Sequence, residues 1–426
     1  MTEAPALIFL LDSPNVWRGR ALAGTPARVL ALAEHSHQAG AAVTLVLCDR
    51  GADYGGAPDW PFDVALVHPA DYYAPAALAR ALRPARADFL IMCEAEAVTA
   101  DGRELALRFG AALVYDVHDD EAAVAASLGE PPEIVERYRA TQRTALRFAD
   151  HLIVSTRNEA HLAAAALIPA ARTVILPNGA DLRLRHCWGP EASTATMVFL
   201  GNLYYQPNAL AVAVIRSTIL PPLRADGINA RVRVVGRGPA ELTRPGDGVE
   251  FTGRVDTIDD ALNGVTLALA PLTAGSGAKM KVADYLAAGL PVLGTSQAVT
   301  GLPAGHPGVV VEDDLSAWPG LLKALLRDGT ALREIGQAGR HCIERELSWQ
   351  MIGADLARHA RTWLAAPPPA ARRDPEPRHA GAPRWLTEHL RQGAVPEPRA
   401  TRPGRPLWLR RGPDTARPAR SRQASR

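Results

Sequence analysis

ALAPLTAGSGAKMKVADYLAAGLPVLGT, residues Ala268–Thr295, changes character several times within a short span. It opens on an apolar run that ends near Pro271, passes through Gly275 and Gly277, and takes up helical spacing from about Ala278. Gly289 stops that helix, with Pro291 just beyond, and a second apolar run follows. The order is strand, glycine-rich turn, helix, turn, strand. The two loop glycines let the backbone turn without side-chain obstruction, and Val282 and Leu286, four apart, face one way towards a sheet. A helix that begins in such a loop offers free backbone N–H groups and the positive end of its dipole, a seat for phosphate oxygens. Lys279 and Lys281 fall in its first turn, where cations oppose the dipole by a few tenths of a kcal/mol. A bound anion accounts for them; ordinary lysines on a solvated turn are the competing reading. Asp284 lies three residues after Lys281 and roughly 200° around the helix from Val282. A carboxylate there either accepts the hydroxyls of a ribose or pairs with Lys281 for ~0.3 kcal/mol.

The same alternation extends in both directions. Upstream, short apolar runs at Ala6–Leu11, Ala42–Leu47, Asp63–His68, Asp88–Cys93, Ala111–Asp116, His151–Ser155 and Thr173–Leu176 are separated by helix-like stretches such as Thr25–Gln38. After the turn-rich LPNGAD the pattern restarts with Met197–Leu200, Ala230–Val235, Val249–Phe251, Val265–Ala270, Leu290–Gly294 and Gly308–Val311. Strands apolar at consecutive positions are covered on both faces, and strand–helix alternation at this spacing predicts parallel, doubly wound sheets. The expected fold is α/β, two Rossmann-like domains joined near residues 180–195 with a cleft between them, where such folds bind ligands.

GSGAKMKVADYLAAGLPVLGT resembles the donor-site motif of retaining glycosyltransferases of family four, whose glycosyltransferase-B fold sets two Rossmann-like domains face to face. Lys281 matches the family's lysine, Asp284 its ribose-binding glutamate, and Gly289–Pro291 the turn that follows. FLGNLYYQPNALAV (Phe199–Val212), VVGRGP (Val234–Pro239) and VEFTGRVDTIDDAL (Val249–Leu262) resemble the other donor-domain elements in order and spacing; LSWQMIGADLARHARTWL (Leu347–Leu364) resembles the closing helix. The resemblance implies an acceptor domain over 1–185, a donor domain over 186–346 and a closing helix over 347–366 that crosses back. It implies donor-binding roles for Gly201, Asn202, Gly236, Arg237, Arg254, Val255, Gly275, Ser276, Gly277, Ala278 and Asp284. It also implies retention of configuration, and neither a metal nor a cofactor. Two positions depart from the family. Ser276 stands where many members carry a second glutamate, and the first donor-domain loop, Gly201–Asn208, contains no Arg or Lys. The diphosphate charge then falls to Lys279, Lys281, Arg237 and the amides of Gly277 and Ala278.

In the N-terminal half, LVYDVHDD (Leu113–Asp120) is an apolar run ending in Asp116, His118, Asp119 and Asp120, and polar groups at a strand's C-terminal end point into the ligand crevice. The resemblance places His118 at the donor sugar or leaving diphosphate, so His118, Lys279 and Lys281 are the catalytic candidates. Asp119 and Asp120 either orient the acceptor or cap the helix that follows. Asp12 and Arg18, in the loop after the first strand, are further acceptor candidates.

Residues 367–426 differ in kind, with 12 of the 35 prolines and 14 Arg against 5 acidic residues. They read as a disordered basic tail that could make weak contact with anionic membrane lipid or with nucleic acid, with Trp385–Leu390 and Leu407–Leu409 as apolar islands that are incidental rather than docked on a partner. The body is mildly acidic, which argues against nucleic acid as a partner. Four dispersed cysteines, a first apolar run without a preceding basic region, and no run of ~20 apolar residues predict a cytoplasmic chain without disulfides or membrane spans. An NAD-dependent oxidoreductase needs a G-x-G-x-x-G turn that DSPNVWRG lacks; an epimerase of the same fold needs catalytic carboxylates that the sequence does not single out. The expected function is transfer of a sugar from a nucleoside-diphosphate sugar to an unidentified acceptor, with a degenerate, non-catalytic sugar-nucleotide binder as the alternative.

Overall fold

An unbroken apolar strand has to bury both faces, and β1 (Ala6–Leu11) does so. Leu7, Phe9 and Leu11 enter one hydrophobic cluster, while Ile8 and Leu10 enter another on the opposite side of the sheet. The computed structural model describes residues 3–13, 24–51, 60–83, 86–165, 167–366 and 401–410. The further strands among them are β2 (Ala42–Cys48), β3 (Asp63–Val67), β4 (Phe89–Met92), β5 (Ala112–Val117), β6 (His151–Val154), β7 (Thr173–Ile175), β8 (Thr196–Leu200), β9 (Arg231–Val235), β10 (Val249–Gly253), β11 (Leu267–Ala270), β12 (Val292–Gly294), β13 (Val309–Val311) and β14 (Leu407–Arg410).

They form two sheets, in the orders β14-β3-β2-β1-β4-β5-β6-β7 and β10-β9-β8-β11-β12-β13. Every pairing is parallel except β14 with β3. In each sheet the strand order reverses beside its first parallel strand, between β1 and β4 and between β8 and β11. Crevices form at such reversals, beyond the strands' C-terminal ends. Residues 12–13 and 93–94 flank the first crevice, and residues 201–208 and 271–279 flank the second.

The helix Trp349–Ala365 returns to the first sheet. Its Trp349, Ile352, Leu356, Ala360 and Trp363 join the cluster that holds Leu7 and Phe9. Gly353 lets it close on the first helix, Gly24–Gln38, because a Cβ there would collide with His35. Ser348 caps the returning helix and bridges to Ala180, so chain exit and re-entry lie side by side. Among the described residues no helix is long and apolar enough to cross a membrane.

One expectation fails. Residues 401–410, read above as part of a disordered tail, form an ordered strap along the edge of β3. Leu407–Leu409, taken as incidental, pairs antiparallel with that edge, covering backbone groups that would otherwise be open to another chain. Thr401 anchors the strap: its N–H (3.0 Å) and hydroxyl (2.8 Å) both donate to the buried Asp49 carboxylate. The N–H of Gly404 donates to Asp71 at 2.6 Å. Trp385–Leu390 lies outside the described residues.

Hydrogen bonds to a buried carboxylate contribute about 1.5–3 kcal/mol each. Thr401→Val is therefore expected to lower unfolding stability by about that amount, measured by urea denaturation. An unchanged midpoint would contradict the docked strap.

Candidate functional site

The glycine-rich loop after β11 lies against the C-terminal ends of the first sheet's strands. Gly277 has φ of 68°, and a Cβ there would collide with the Asp119 carboxylate and crowd the His118 carbonyl. Ser276 Oγ accepts from the N–H of Asp120 at 2.8 Å and sits 3.2 Å from Asp119 Oδ1, to which it donates. The N–H of Gly275 donates to Ser127 Oγ at 3.1 Å. Met280 packs against the first sheet's cluster and borders Gly24. The loop and the first turn of its helix thus form the seam between the two sheets' domains.

The helix runs over Met280–Ala287, two residues later than expected, because Lys279 is extended at the N-cap position. Lys279 Nζ folds back to donate to the carbonyls of Ser276 and Gly277. Burial pushes its pKa down, with Asp119 and Glu159 opposing. Lys281 Nζ donates to Asn208 Oδ1 at 2.6 Å and lies 4.3 Å from the Phe199 ring centroid. Burial, and then the neighbouring Lys279, hold Lys281 at about 7. Two desolvated lysines thus sit close together at a strand reversal, and ionisable groups perturbed in this way mark a candidate functional site.

Asn208 also donates to the Asn202 carbonyl at 2.9 Å and touches Gly201, tying Lys281 to the first loop of the second sheet. Gly236 lies against Gly201, where a Cβ would collide with its carbonyl. Gly201, Asn202, Gly236, Gly275, Ser276, Gly277, Ala278, Lys279 and Lys281 are therefore gathered around one crevice. Arg237 and Arg254 are exposed beyond β9 and β10, while Val255 packs against the second domain's core.

Asp284 is not paired with Lys281, contrary to one of its two expected readings. Arg185, from the segment joining the domains, donates from Nε to Asp284 Oδ1 at 2.6 Å. Burial raises the Asp284 pKa and Arg185 opposes that shift. In this arrangement the carboxylate expected to hold a ribose is engaged by a linker side chain.

Across the seam, Asp116 is buried and doubly bonded to Arg28, with Nε–Oδ2 3.0 Å and Nη2–Oδ1 2.8 Å. Although desolvation opposes it, the charges of Arg28 and His118 hold Asp116 well below the usual carboxylate range. His118 Nε2 lies 3.0 Å from Asp116 Oδ2, and its Nδ1 lies 3.3 Å from Thr25 Oγ1. Asp120 caps the following helix through the N–H of Ala123 at 2.8 Å, the structural alternative weighed for it. Burial raises the Asp119 pKa, opposed by Lys279, His118 and Ser276. Asp12 is held by Arg50 (Nε–Oδ1 2.5 Å) and by the Tyr73 hydroxyl, so its carboxylate already has protein partners. Arg18 lies outside the described residues.

Several contributors escaped sequence reasoning. Arg28 is buried in the first helix with Val29, Leu32 and Ala33 but also with the polar Glu34, His35 and Ser36, so the helical spacing did not single it out. Asn178 was legible only as a turn residue, yet its side chain donates to the Ala278 carbonyl at 2.9 Å. Glu94, beyond β4, is exposed, and Glu121, at the start of the helix after Asp120, is half-buried. Desolvation raises the Glu94 pKa and, with the neighbouring carboxylates of Glu94, Glu96 and Asp119 adding to it, pushes Glu121 up to about 8. Among the described residues no group of three or more His, Cys, Asp or Glu is placed to hold a metal ion.

Two family models match in chain order: a glycosyl transferase 4-like domain over residues 23–179 and glycosyl transferases group 1 over residues 194–328. No curated protein sequence matches the chain. Among solved structures, sucrose-phosphate synthase from Thermosynechococcus elongatus is similar with TM-score 0.67 and 16% identity, covering 85% of this chain and 100% of that one. Anabaena HepE in complex with UDP-glucose aligns with TM-score 0.62, 14% identity and the same two coverages, 85% and 100%. WaaG, a glycosyltransferase involved in lipopolysaccharide biosynthesis, aligns with TM-score 0.58 and 15% identity over 82% of this chain and 98% of its own.

The seam depends on a bare backbone at Gly277. Gly277→Ala is expected to part the two domains, raising the radius of gyration measured by small-angle X-ray scattering. Gly264→Ala, which carries the same left-handed strain with open space around it, costs about 1–2 kcal/mol and leaves the radius unchanged. Equal behaviour of the two variants would contradict the seam.

Proposed function

Since the chain is a glycosyltransferase with the glycosyltransferase-B fold, we propose that it moves a sugar from a nucleoside-diphosphate donor to a hydroxyl-bearing acceptor with retention of configuration and without a metal. One observation carries the reading: Lys279, Lys281 and the start of the helix Met280–Ala287 are gathered where β8 and β11 diverge, facing His118 and Asp119. Bound diphosphate would take the amides of Gly277 and Ala278 with the ammonium of Lys281, and the donor ribose would take Asp284 in place of Arg185. HepE, whose structure contains UDP-glucose, supports a nucleotide-sugar donor of this kind. In the proposed reaction the donor's C1–O bond breaks while the acceptor oxygen bonds to C1 on the same face, and the acceptor proton passes to the departing phosphate oxygen. Positive groups aimed at the departing oxygens stabilise the charge that develops there; removing one such group typically costs 10²–10³ in rate. The seam excludes water and so favours transfer over hydrolysis. The acceptor would enter from the crevice lined by Asp12, Glu94, Asp119 and Glu121.

Two measurements test this. UDP, GDP and ADP sugars are screened by thermal shift, since a ligand of the folded state raises the melting temperature by mass action. At least one is expected to do so, and Lys281→Ala is expected to abolish the shift; an unchanged shift in that variant would sink the phosphate seat. The second measurement is the pH dependence. With Lys281 held at about 7 in the free chain, a diphosphate stabilises its charged form and raises its pKa. Binding then takes up a proton near neutrality, and affinity weakens as pH rises through 7. Calorimetry in HEPES and in Tris, which differ in ionisation enthalpy, reads the uptake directly. Equal apparent enthalpies in the two buffers would exclude it.

A further inference from the structure

Arg28 is the most deeply buried cation described above, 1% exposed in the helix Gly24–Gln38. A charge taken that far from water is costly, and well-packed apolar side chains of similar volume would usually serve stability as well or better. What distinguishes Arg28 is where its hydrogen bonds lead. Nε and Nη2 hold Asp116, whose other contact is the imidazole of His118. Nη1 donates to Asn178 Oδ1 at 2.9 Å, and the Asn178 amide donates to the Ala278 carbonyl in the glycine-rich loop. Nη1 and Nη2 also donate to the carbonyls of Pro177 and Leu176 at 3.3 and 2.9 Å, fixing the strand exit that carries Asn178. A planar guanidinium holds several acceptors in one rigid fork, which an ammonium does not.

We infer that Arg28 is a positioning residue that ties the orientation of His118 to the seating of the Gly275–Lys279 loop. One arm sets the imidazole. Asp116, kept ionised by Arg28, accepts from Nε2–H, which leaves Nδ1 facing the Thr25 hydroxyl, three residues before Arg28 on the same helix. The other arm sets the loop. Asn178 fixes the carbonyl immediately before Lys279, and Gly24 at the start of the same helix borders Met280 on the far side of the seam. Arg28 touches neither crevice's ligand and acts through Asp116 and Asn178. The inference deepens the transferase reading and rests on it for the meaning of both arms.

Its two arms are separable by mutation. Wild type, Arg28→Lys, Asp116→Asn and Asn178→Ala are compared in two readouts that need no ligand. In the ring ¹⁵N spectrum of histidine-labelled protein, the His118 signals are identified by their loss in His118→Gln. They are expected to show the Nε2–H tautomer in wild type and Asn178→Ala, and a tautomer mixture in Arg28→Lys and Asp116→Asn. The backbone amide resonances of residues 277–279 are expected to shift and broaden in Arg28→Lys and Asn178→Ala, as the loop loses its anchor, and to stay unchanged in Asp116→Asn. With a donor identified, Asp116→Asn lowers kcat by up to about a hundredfold, as misplaced groups do, at little change in donor KM, while Asn178→Ala raises donor KM. If Arg28→Lys lowers the melting temperature but leaves both ligand-free readouts as in wild type, Arg28 is a structural ion pair and the inference fails. If Arg28→Lys does not fold, the inference stands or falls on the single-arm variants: it fails if Asp116→Asn leaves the ring, or Asn178→Ala the loop, unchanged. A wild-type protein that transfers no sugar would overturn the transferase reading while leaving both ligand-free readouts decisive for Arg28.

Discussion

Gly277 admits no side chain. Its left-handed backbone passes so close to His118 and Asp119 that at this point the two domains can meet only over bare main chain. That contact joins the strand reversal of one sheet to the strand reversal of the other, making one cleft from two crevices. Without it the lysines after the loop would face solvent, and the carboxylates beyond β4 and β5 would line a separate groove.

Electrostatics follow from this closeness. Lys279 and Lys281 lose hydration and have depressed pKa values, while Glu121 and Asp119 opposite them are raised. Each group would be more comfortable in water, and an anion against the lysines would offset that cost. Asp116 behaves in the opposite way: desolvation alone would raise it, but Arg28 and His118 outweigh that cost. A single ionised carboxylate is thus held firmly under His118, while burial pushes Asp119 and Glu121 towards their protonated forms.

Most of strands β1 to β13 were legible because buried parallel strands are apolar at consecutive positions; the more exposed β7, β10 and β13 were legible from the turn residues that punctuate the chain. β14 was not: three apolar residues among prolines and arginines carry no periodicity, and only the β3 edge and Asp49 reveal their partner. The glycine loop and its lysines were legible from local chemistry. The start of the helix at Met280 was not, since an extended N-cap lysine leaves no sequence mark. Arg28, Asn178, Arg185 and Asn208 act over long sequence separations, and such pairings are fixed by topology, which local spacing does not encode. Arg185 changes the account most, because it occupies the carboxylate that the helix position alone would assign to a ribose.

The account turns on which groups meet the donor nucleotide, and a crystal structure with UDP bound tests it most directly. The expected result is a diphosphate against the amides of Gly277 and Ala278 and the ammonium of Lys281, with the ribose on Asp284 and the Arg185 side chain swung away. A nucleotide bound elsewhere, with the Arg185–Asp284 pair intact, would contradict it.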